Sequence, residues 1–302
     1  MNKIAVIDLG TNSIKLTAVK INNNNSFSII FDAYKITRLG IGLQKSGLLS
    51  SDAINKTINA IAEFLKLLKH KNIFNIYAIA TMALRNAKNN AELLDLIEKK
   101  FQINVSIISG DDEARLSFIA ATYILSNFNE SIVVFDSGGG STEFIFGNNN
   151  RYIESRSLNI GALHITESYY KSNPVSKKEF EDSIKFIKSK LRTISNYDAK
   201  KIVGIGGTPL TIASVKEKLA IFNPLSVRGL EIDISEIKRQ IDIYRFKTII
   251  QRKEISGLEA DRADIILAGA AIIFCILKFF NNSKFTICDY GIRHGFIIDN
   301  FL

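Results

Sequence analysis

The sequence predicts an α/β protein built of two lobes. Short apolar runs rich in β-branched residues alternate with longer segments of helical periodicity, and a strand–Asp–x–Gly–strand pattern occurs twice. The aspartates of the two copies, Asp8 and Asp136, are 128 positions apart (136 minus 8). Two copies at this separation indicate a duplicated domain and not a solenoid. The length of 302 residues also favours two domains, which we place at residues 1–127 and 128–302.

The first lobe is predicted to open with a hairpin and to continue with alternating helices and strands. Its strands are predicted at residues 3–7, 14–21, 27–31, 76–80 and 103–108. Its helices are predicted at residues 51–69, with Ser51 as the cap, at residues 90–100, and from residue 109 to about residue 127. Segment 38–47, which glycines interrupt, is predicted to be a loop.

The second lobe is predicted to repeat this organisation. Its strands are predicted at residues 132–135, 144–146, 152–155, 201–205 and 285–288. Its helices are predicted at residues 160–171, 177–194, 235–250 and 261–280, and another follows Thr208 and ends near residue 219. Ser176 and Glu179 have the spacing of a capping box. The apolar run 265–277 is shorter than the ~20 residues of a membrane span, so it is predicted to be a buried helix.

The turn of the second hairpin carries the residues best suited to chemistry. Asp136 ends a buried strand, Ser137 and Gly138–Gly140 follow it, and Ser141 and Glu143 begin the returning strand. Glycines permit positive φ and a close approach to a ligand, and successive N–H groups of such a turn form an anion-binding concavity. The flanking carboxylates could hold Mg²⁺ or orient a water. An ordinary β-hairpin is the structural alternative, but three consecutive glycines between two acids favour phosphoryl chemistry.

Arg85 and Glu113 are candidates because each follows a strand end, where α/β folds build their sites. Glu113 lies in the first turn of a predicted helix, whose N-terminus would keep its carboxylate ionised, and we predict that it is a general base. Capping and compensation of the helix dipole is the alternative, and it accounts well for the neighbouring Asp111 and Asp112.

Two weaker candidates lie nearer the end of the chain. Gly207 and Thr208 form a third glycine turn between a strand and a helix start, which can hold an anion with its N–H groups. Arg293 lies between two glycines and could reach a phosphate, although an arginine paired on the surface is an equally good interpretation.

The cysteines and the first residues of the chain indicate a cellular compartment, whereas the net charge does not identify a binding partner. The net charge of +9 suits an anionic partner, but the surplus lysines are spread among many Asn and Ile residues, so charge alone decides nothing. Cys275 and Cys288 have no metal-ligand spacing and are predicted to be small core residues in a reducing compartment. The first residues fit neither a signal nor a transit peptide, so we expect a cytoplasmic protein.

Six motifs together resemble the exopolyphosphatase/guanosine pentaphosphate phosphatase (Ppx/GppA) family, in that family's order and spacing over essentially the whole chain. The two Asp-Gly hairpins alone would fit the wider actin, sugar kinase and heat-shock chaperone superfamily, whereas Gly110–Leu116 and Leu84-Arg85 narrow the resemblance to this family. The six motifs are Asp8–Ser13, Thr81–Arg85, Ser109–Leu116, Val134–Glu143, Gly204–Thr208 and Gly291–Gly295.

The resemblance implies two ribonuclease-H-like lobes with an interlobe active site, and Mg²⁺-dependent (or Mn²⁺-dependent) removal of a terminal phosphoryl group from polyphosphate or guanosine pentaphosphate. It implies Glu113 as the catalytic carboxylate, Arg85 as a phosphate contact, and Asp136 and Glu143 as residues that serve metal and water. Asp8, also a metal ligand, would lie with Asn12 and Ser13 on the opposing wall. The full set of predicted phosphate-binding residues is Asn12, Ser13, Arg85, Gly138, Gly139, Gly140, Ser141, Gly207, Thr208 and Arg293.

Three positions depart from the family pattern. Ser137 replaces the usual aliphatic residue, and Asp112 stands where Glu is common; we expect both changes to be tolerated. His294 stands where the family often has Glu, which leaves the role of the Arg293 loop open. The chain also stops after two lobes, so we expect less surface for holding a long polymer.

Our leading hypothesis is an exopolyphosphatase, and hydrolysis of guanosine pentaphosphate is the alternative within the family. An ATP-binding module of the actin or sugar-kinase type is an alternative from another class, since Gly204–Thr208 could serve an adenosine pocket. An inactive polyphosphate or alarmone sensor is disfavoured, because the candidate acids are retained. We expect neither nucleic acid nor a membrane as partner. The sequence leaves the oligomeric state open, and a homodimer is one of the states it allows.

Overall fold

The computed structural model describes residues 3–125, 129–194, 197–221 and 223–302. The chain forms two compact units, Met1–Ala120 with Ile292–Leu302, and Ala121–Gly291. The predicted boundary between residues 127 and 128 lies outside the described residues. Residues 292–302, which that division assigns to the second lobe, belong to the first unit, because their helix packs on its first two strands.

The first unit contains a five-stranded mixed sheet of order β3-β2-β1-β4-β5. Strands β1, β2 and β3 are antiparallel neighbours, whereas β4 runs parallel to β1 and β5 runs parallel to β4. The strands are β1 (Lys3–Leu9), β2 (Ser13–Asn22), β3 (Ser26–Ile36), β4 (Asn75–Ala80) and β5 (Val105–Ile107).

Strand β1 is buried on both faces, which its continuous apolar sequence requires. Its side chains alternate between two hydrophobic clusters, with Ile7 and Leu9 in one and Ile4 and Val6 in the other. The second cluster also contains Ile297 from the last helix of the chain. The first unit therefore covers one face of its sheet with an element from the far end of the sequence.

Six helices belong wholly or mainly to the first unit: α1 (Leu43–Ser46), α2 (Ser51–His70), α3 (Met82–Asn86), α4 (Asn90–Phe101), α5 (Gly110–Ile124) and α12 (Ile292–Phe301). Helix α2 is capped by Ser50, whose side chain accepts a hydrogen bond from the N–H of Ala53, and not by Ser51 as predicted. Segment 38–47, predicted to be a loop, contains the short helix α1.

The second unit contains a six-stranded mixed sheet of order β10-β11-β9-β6-β7-β8. Its antiparallel run β6-β7-β8 and its parallel neighbours β9 and β11 repeat the arrangement of the first sheet, and β10 is added antiparallel at the edge. The two sheets thus have the same core order, which fits the predicted duplication. The strands are β6 (Ile132–Ser137), β7 (Thr142–Asn148), β8 (Arg151–Leu158), β9 (Lys201–Ile205), β10 (Glu231–Asp233) and β11 (Lys284–Ile287).

The α-helices of the second unit are α6 (Ala162–Tyr169), α7 (Lys177–Leu191), α8 (Gly207–Lys216), α9 (Ile234–Phe246), α10 (Ile249–Arg252) and α11 (Ile266–Phe279), with 3₁₀ turns at Pro224–Ser226 and Ala260–Arg262. Ser176 and Glu179 form the predicted capping box of α7. The predicted helix 235–250 is two helices, because Thr248 starts a second capping box with Gln251.

Helix α11 is buried on nearly every face, as its apolar sequence predicts, and it begins later than residue 261 because a 3₁₀ turn precedes it. Cys275 in α11 and Cys288 after β11 are buried, which confirms their predicted place in the core. None of the helices in the described part of the chain combines the length and apolar composition that crossing a bilayer requires.

Candidate active site

The turn end of hairpin β6–β7 brings two carboxylates together. Asp136 pairs with Glu143 across the hairpin, and directly opposite residues of an antiparallel pair point to the same face with Cβ atoms about 4.5–5.5 Å apart. Oε1 of Glu143 accepts hydrogen bonds from the hydroxyls of Ser141 (2.6 Å) and Ser157 (2.8 Å). Among the described residues Oε2 of Glu143 accepts none, so it is available to a cation or a water.

The glycine turn between these strands is joined to the start of α6. The N–H of Gly138 donates to the carbonyl of Ser141 (3.0 Å). The carbonyl of Gly139 accepts from Leu163 (2.9 Å) and His164 (3.0 Å). A Cβ at Gly161 would overlap the Gly139 carbonyl, so only glycine permits this approach. These first donors of α6 are satisfied by the turn, which is therefore held rigidly by the helix behind it.

The turn offers three consecutive N–H groups to a ligand. Those of Gly139, Gly140 and Ser141 donate to no residue within the described ranges, and both glycines are exposed. None of Gly138–Gly140 has the positive φ that the sequence suggested as a reason for glycine. A Cβ at Gly140 would meet no atom within 4 Å, so open space lies in front of the turn. The availability of these donors is what the predicted phosphate cradle needs.

A second glycine pair, Gly206-Gly207 at the start of α8, adjoins the same carboxylate. Gly206 has φ 85°, and a Cβ there would overlap Oδ1 of Asp136. A Cβ at Gly207 would overlap the guanidinium of Arg262, whose Nε donates to Glu259 (2.9 Å). The carboxylate of Asp136 thus lies against Gly206, and the guanidinium of Arg262 lies against the next residue, Gly207. Sequence reasoning did not select Arg262, since only the fold brings it to this turn.

Thr208 ties α8 to the end of β6. Its hydroxyl donates to the carbonyl of Ser137 (3.2 Å) and its side chain is buried against Gly269. The contact holds the Gly206-Gly207 turn beside Asp136. The phosphate contacts of Gly207 and Thr208 stay predictions, and the hydroxyl of Thr208 has a structural partner.

The first hairpin, β1–β2, has the same turn with one difference. The N–H of Gly10 donates to the carbonyl of Ser13 (3.2 Å), which is the bond that Gly138 makes in the second hairpin. Asp8 pairs across the hairpin with Lys15, at the position that Glu143 occupies opposite Asp136. The duplicated turn is therefore acidic on both sides in the second unit, and acidic on one side and basic on the other in the first.

Asp8 is a buried carboxylate with an unsatisfied oxygen. Its residue is 6% exposed, and Oδ1 has no hydrogen-bond partner among the described residues. Burial raises the pKa of Asp8, and the charges of Lys15 and Arg293 act in the opposite direction. An unsatisfied buried carboxylate oxygen is costly, and a bound cation would satisfy it.

Arg293 lies in the first unit, where its side chain is 16% exposed and forms an ion pair with the more exposed Asp32. Its Nη1 is 3.4 Å from Oδ1 of Asp32, which also accepts a 2.5 Å hydrogen bond from Thr17. Burial lowers the pKa of Arg293, whereas Asp32 and Asp8 raise it. His294 beside it is 3% exposed, with its ring centroid 6.2 Å from that of Phe27. The predicted phosphate contact of Arg293 stays a prediction.

Arg85 and Glu113 meet in the first unit. Nη2 of Arg85, on α3, lies 3.4 Å from Oε2 of Glu113, on α5, and Nη1 donates to the carbonyl of Ile108 (2.7 Å). The N–H of Asp112 donates to the hydroxyl of Ser109 (3.0 Å), which in turn donates to the Asp112 carboxylate (2.7 Å). The hydroxyl of Ser109 therefore caps the helix and is itself held by the Asp112 carboxylate, while Glu113 faces the arginine.

The acids present suit a hard divalent cation. In the described part of the chain, no three His, Cys, Asp or Glu side chains gather into a ready-made metal site. Asp136 and Glu143 supply two adjacent carboxylates, and Asp8 supplies an unsatisfied oxygen. Mg²⁺ is commonly held by one or two carboxylates while waters and substrate phosphates complete its coordination. The oxygen donors therefore fit Mg²⁺ or Mn²⁺.

The chain is 30% identical over 308 residues to the bifunctional 3-dehydroquinate synthase/phosphatase of Fusobacterium nucleatum, covering 98% of this chain and 46% of that protein. It is 30% identical over 295 residues to a guanosine-5'-triphosphate,3'-diphosphate pyrophosphatase of Pseudoalteromonas translucida, covering 97% of this chain and 58% of that protein. Exopolyphosphatase 2 of Mycobacterium tuberculosis is 26% identical over 285 residues, covering 90% and 89% of the two chains. The chain thus spans about half the length of two of these relatives and most of the third.

The fold has a close counterpart among solved structures. The crystal structure of the type II variant of the Aquifex aeolicus Ppx/GppA phosphatase superposes with a TM-score of 0.92 at 30% identity, over 100% of both chains. The sequence model of the Ppx/GppA phosphatase family matches residues 18–302. The predicted two-lobed α/β fold and the family resemblance are both confirmed, and the chain belongs to the Ppx/GppA phosphatase family.

Proposed function

We propose that this protein is an exopolyphosphatase, which releases the terminal phosphate of linear polyphosphate by hydrolysis. The observation that carries the proposal is the turn of hairpin β6–β7. Three consecutive N–H groups there donate to no described residue, and Asp136 and Glu143 lie side by side at the same end of the hairpin. N–H donors for a phosphate and carboxylates for a cation and a water are the parts that phosphoryl transfer requires.

The proposed reaction needs one proton acceptor and several phosphate contacts. The oxygen of a water attacks the terminal phosphorus, and the bond from that phosphorus to the bridging oxygen breaks. Glu113 takes a proton from the water, and the shortened chain leaves with the electron pair of the broken bond. The N–H groups of Gly139 and Gly140 would donate to phosphoryl oxygens, where negative charge is concentrated in the transition state, and Arg85 is proposed as a further phosphate contact.

A divalent cation is part of the proposal. Asp136 and Glu143 of the second unit would hold Mg²⁺ or Mn²⁺, and Asp8 is the candidate oxygen donor of the first unit. When bound, the ion would neutralise phosphate charge and lower the pKa of a coordinated water. Lys15 opposite Asp8 makes the first hairpin less suited to a cation than the second, where both partners are carboxylates. The ion is therefore expected mainly at the second hairpin.

Guanosine pentaphosphate is the second candidate substrate, and the relative from Pseudoalteromonas translucida, named for that activity, supports it. Its 5'-triphosphate end presents the same terminal phosphoryl group, so the same residues would act on it. We further propose the cytoplasm as the compartment, supported by the thiols of Cys275 and Cys288, which form no disulfide. A homodimer stays an option of the proposal.

The deciding experiment measures phosphate release by the purified chain with Mg²⁺, in parallel on polyphosphates of several lengths, guanosine pentaphosphate and ATP. A kcat/KM for polyphosphate that exceeds the other two by tenfold or more supports the proposal. A preference for guanosine pentaphosphate would select the second candidate. Hydrolysis of ATP alone, or of none of the three while Glu113→Gln behaves like the wild type, would overturn both.

A further inference from the structure

A loop that follows β3 is fixed to the turn of the first hairpin. The N–H groups of Thr37 and Arg38 both donate to the carbonyl of Asn12 (3.2 and 2.9 Å), and the N–H of Gly40 donates to the carbonyl of Thr11 (2.8 Å). A Cβ at Gly40 would overlap the side chain of Thr11, so glycine is needed for this approach. Leu39 is fully buried between these contacts. The loop is therefore anchored on both sides of Arg38.

The backbone of Arg38 is in a conformation that its side chain disfavours. Its φ is +50°, in the left-handed region that glycine and asparagine adopt most readily. The described residues other than glycine with positive φ are Asn25, Arg38, Asn72, Gln102, Asn149, Asn150, Lys218 and Asn281. Gln102 ends α4 and Lys218 follows the C-cap of α8, where a left-handed residue is usual. Arg38 is thus the one member of this group that is neither asparagine nor at a helix end.

The unfavourable backbone conformation of Arg38 is not offset by a polar interaction of its side chain with the described residues. It is exposed and makes no hydrogen bond or ion pair with any residue that the structure describes. By contrast, Arg293 and Arg115 of the same unit are paired with Asp32 and Asp299. A backbone conformation that is unfavourable for the residue and is imposed by the surrounding contacts is typical of ligand sites.

We propose that Arg38 is a phosphate-binding residue of the substrate site, held by the loop so that its guanidinium contacts the phosphate chain at the turn of the first hairpin. The proposal rests on the proposed function, since it needs an anionic substrate at Asn12. A planar guanidinium can contact two oxygens of one phosphate through two parallel N–H groups, a fixed geometry that an ammonium lacks. The expected contribution is to substrate affinity, because the contact is to a phosphate and not to the water that attacks.

The test compares three substitutions in the full-length chain. In Arg38→Ala, we expect the KM for polyphosphate to rise on the order of tenfold, as the loss of a charged hydrogen bond implies, while kcat falls by less than about threefold. Arg38→Lys should recover part of the affinity because the charge remains. Arg38→Gly removes the side chain and the backbone conflict together, so it should match Arg38→Ala in KM with a melting temperature equal to or above that of the wild type.

Arg151→Ala is the matched control. Arg151 is an exposed arginine that begins β8 and pairs with Asn148 at the end of β7, so the length of β7 separates it from the glycine turn of its unit. The control should leave both KM and kcat within twofold of the wild type. Equal effects of Arg38→Ala and Arg151→Ala would show that only net charge matters, which overturns the proposal.

A second readout separates this inference from the proposed function. Equilibrium binding of polyphosphate is measured without turnover for the wild type and for Arg38→Ala. Binding that weakens on the order of tenfold supports the role of Arg38 even if the wild type hydrolyses neither substrate, a result that would overturn the proposed function alone. Wild-type hydrolysis with unchanged KM and binding in Arg38→Ala would overturn the inference alone. A lower melting temperature with no rescue by lysine would assign Arg38 a structural role and also overturn it.

Discussion

The guanidinium of Arg85 lies 3.4 Å from Oε2 of Glu113, the carboxylate that we propose as the general base. This distance exceeds the ~2.7–2.9 Å of a strong charge-assisted hydrogen bond, and the two side chains are 30% and 38% exposed. A loose, partly exposed ion pair contributes little to stability. Breaking this ion pair should therefore cost the fold little, and Arg85 can offer Nη2 to a phosphate while Nη1 keeps its 2.7 Å hydrogen bond to the carbonyl of Ile108.

Glu113→Gln tests whether this carboxylate does more than offset the helix dipole. The amide keeps the shape but removes the basicity, so we expect kcat to fall by roughly 10²–10⁴-fold with substrate affinity and melting temperature close to wild type. A residue that only offsets the dipole would cost about 0.3–1 kcal/mol of stability and leave turnover nearly intact.

Asp112→Asn is the control for Glu113→Gln, because it removes the same charge from the same helical turn. Asp112 exchanges hydrogen bonds with Ser109 at the start of α5, so its loss should affect stability and leave turnover largely unchanged. The assignment of Glu113 fails if Glu113→Gln retains more than about a tenth of wild-type turnover. Equal loss of turnover in the two variants would contradict it as well.

Local sequence patterns predicted most strands, the longer helices and the positions of the hairpin carboxylates, because these depend on residues close together in the chain. The cross-strand pair of Asp136 with Glu143 follows from the turn length between two short strands. The place of Arg262 over Gly207, and of the last helix under β1, depends on tertiary packing that no local pattern encodes. The left-handed Arg38 was missed for the same reason, since its φ is set by hydrogen bonds to Asn12.

Arg85→Ala and Arg293→Ala should have different effects. Arg85 is partly exposed. Its loss should lower kcat/KM by an amount equivalent to about 1.5–3 kcal/mol of transition-state stabilisation, which is typical of charged hydrogen bonds, with a small change in melting temperature. Arg293 is 16% exposed, pairs with the exposed Asp32 and lies near the buried Asp8, so its removal takes a compensating charge from Asp8 and should lower the melting temperature by several degrees.

Steady-state kinetics and thermal melts of both arginine variants check this difference. We expect Arg85→Ala to lose more activity than Arg293→Ala when each is assayed well below its melting temperature. A harmless Arg85→Ala, or equal losses of activity at equal stability, would contradict the ranking.

Removal of divalent cations should abolish phosphate release. Asp136 and Glu143 are hard oxygen donors at the turn that we propose for phosphate, and hard cations prefer such ligands. Dialysis against chelator followed by addition of Mg²⁺ or Mn²⁺ should restore activity, whereas Ca²⁺, which prefers longer bonds and more ligands, should restore less. Undiminished turnover in excess chelator would show that the carboxylate pair serves another purpose.

Glu179 predicts an acid-dependent loss of stability in the second unit. Its carboxylate accepts hydrogen bonds from the hydroxyls of Ser172 and Ser176 and from the backbone N–H groups of Lys171, Ser172 and Ser176, which lower its pKa to about 2. A carboxyl whose folded-state pKa lies below its unfolded value of 4.5 stabilises the fold above that value. This stabilisation is lost as the pH falls through the folded-state pKa.

Glu179→Gln should therefore lower the melting temperature by about 1–3 °C at pH 7, where the carboxylate caps α7, and the difference from the wild type should close as the pH falls from 4.5 towards 2. Glu181→Gln is the control, because it removes the same charge from α7 but breaks only a 3.9 Å contact with the exposed Lys177. Its difference from the wild type should be small at every pH. Thermal melts of the three proteins across this range measure the effect. A gap for Glu179→Gln that stays constant down to pH 2 would mean that the stabilisation does not depend on the ionised carboxylate.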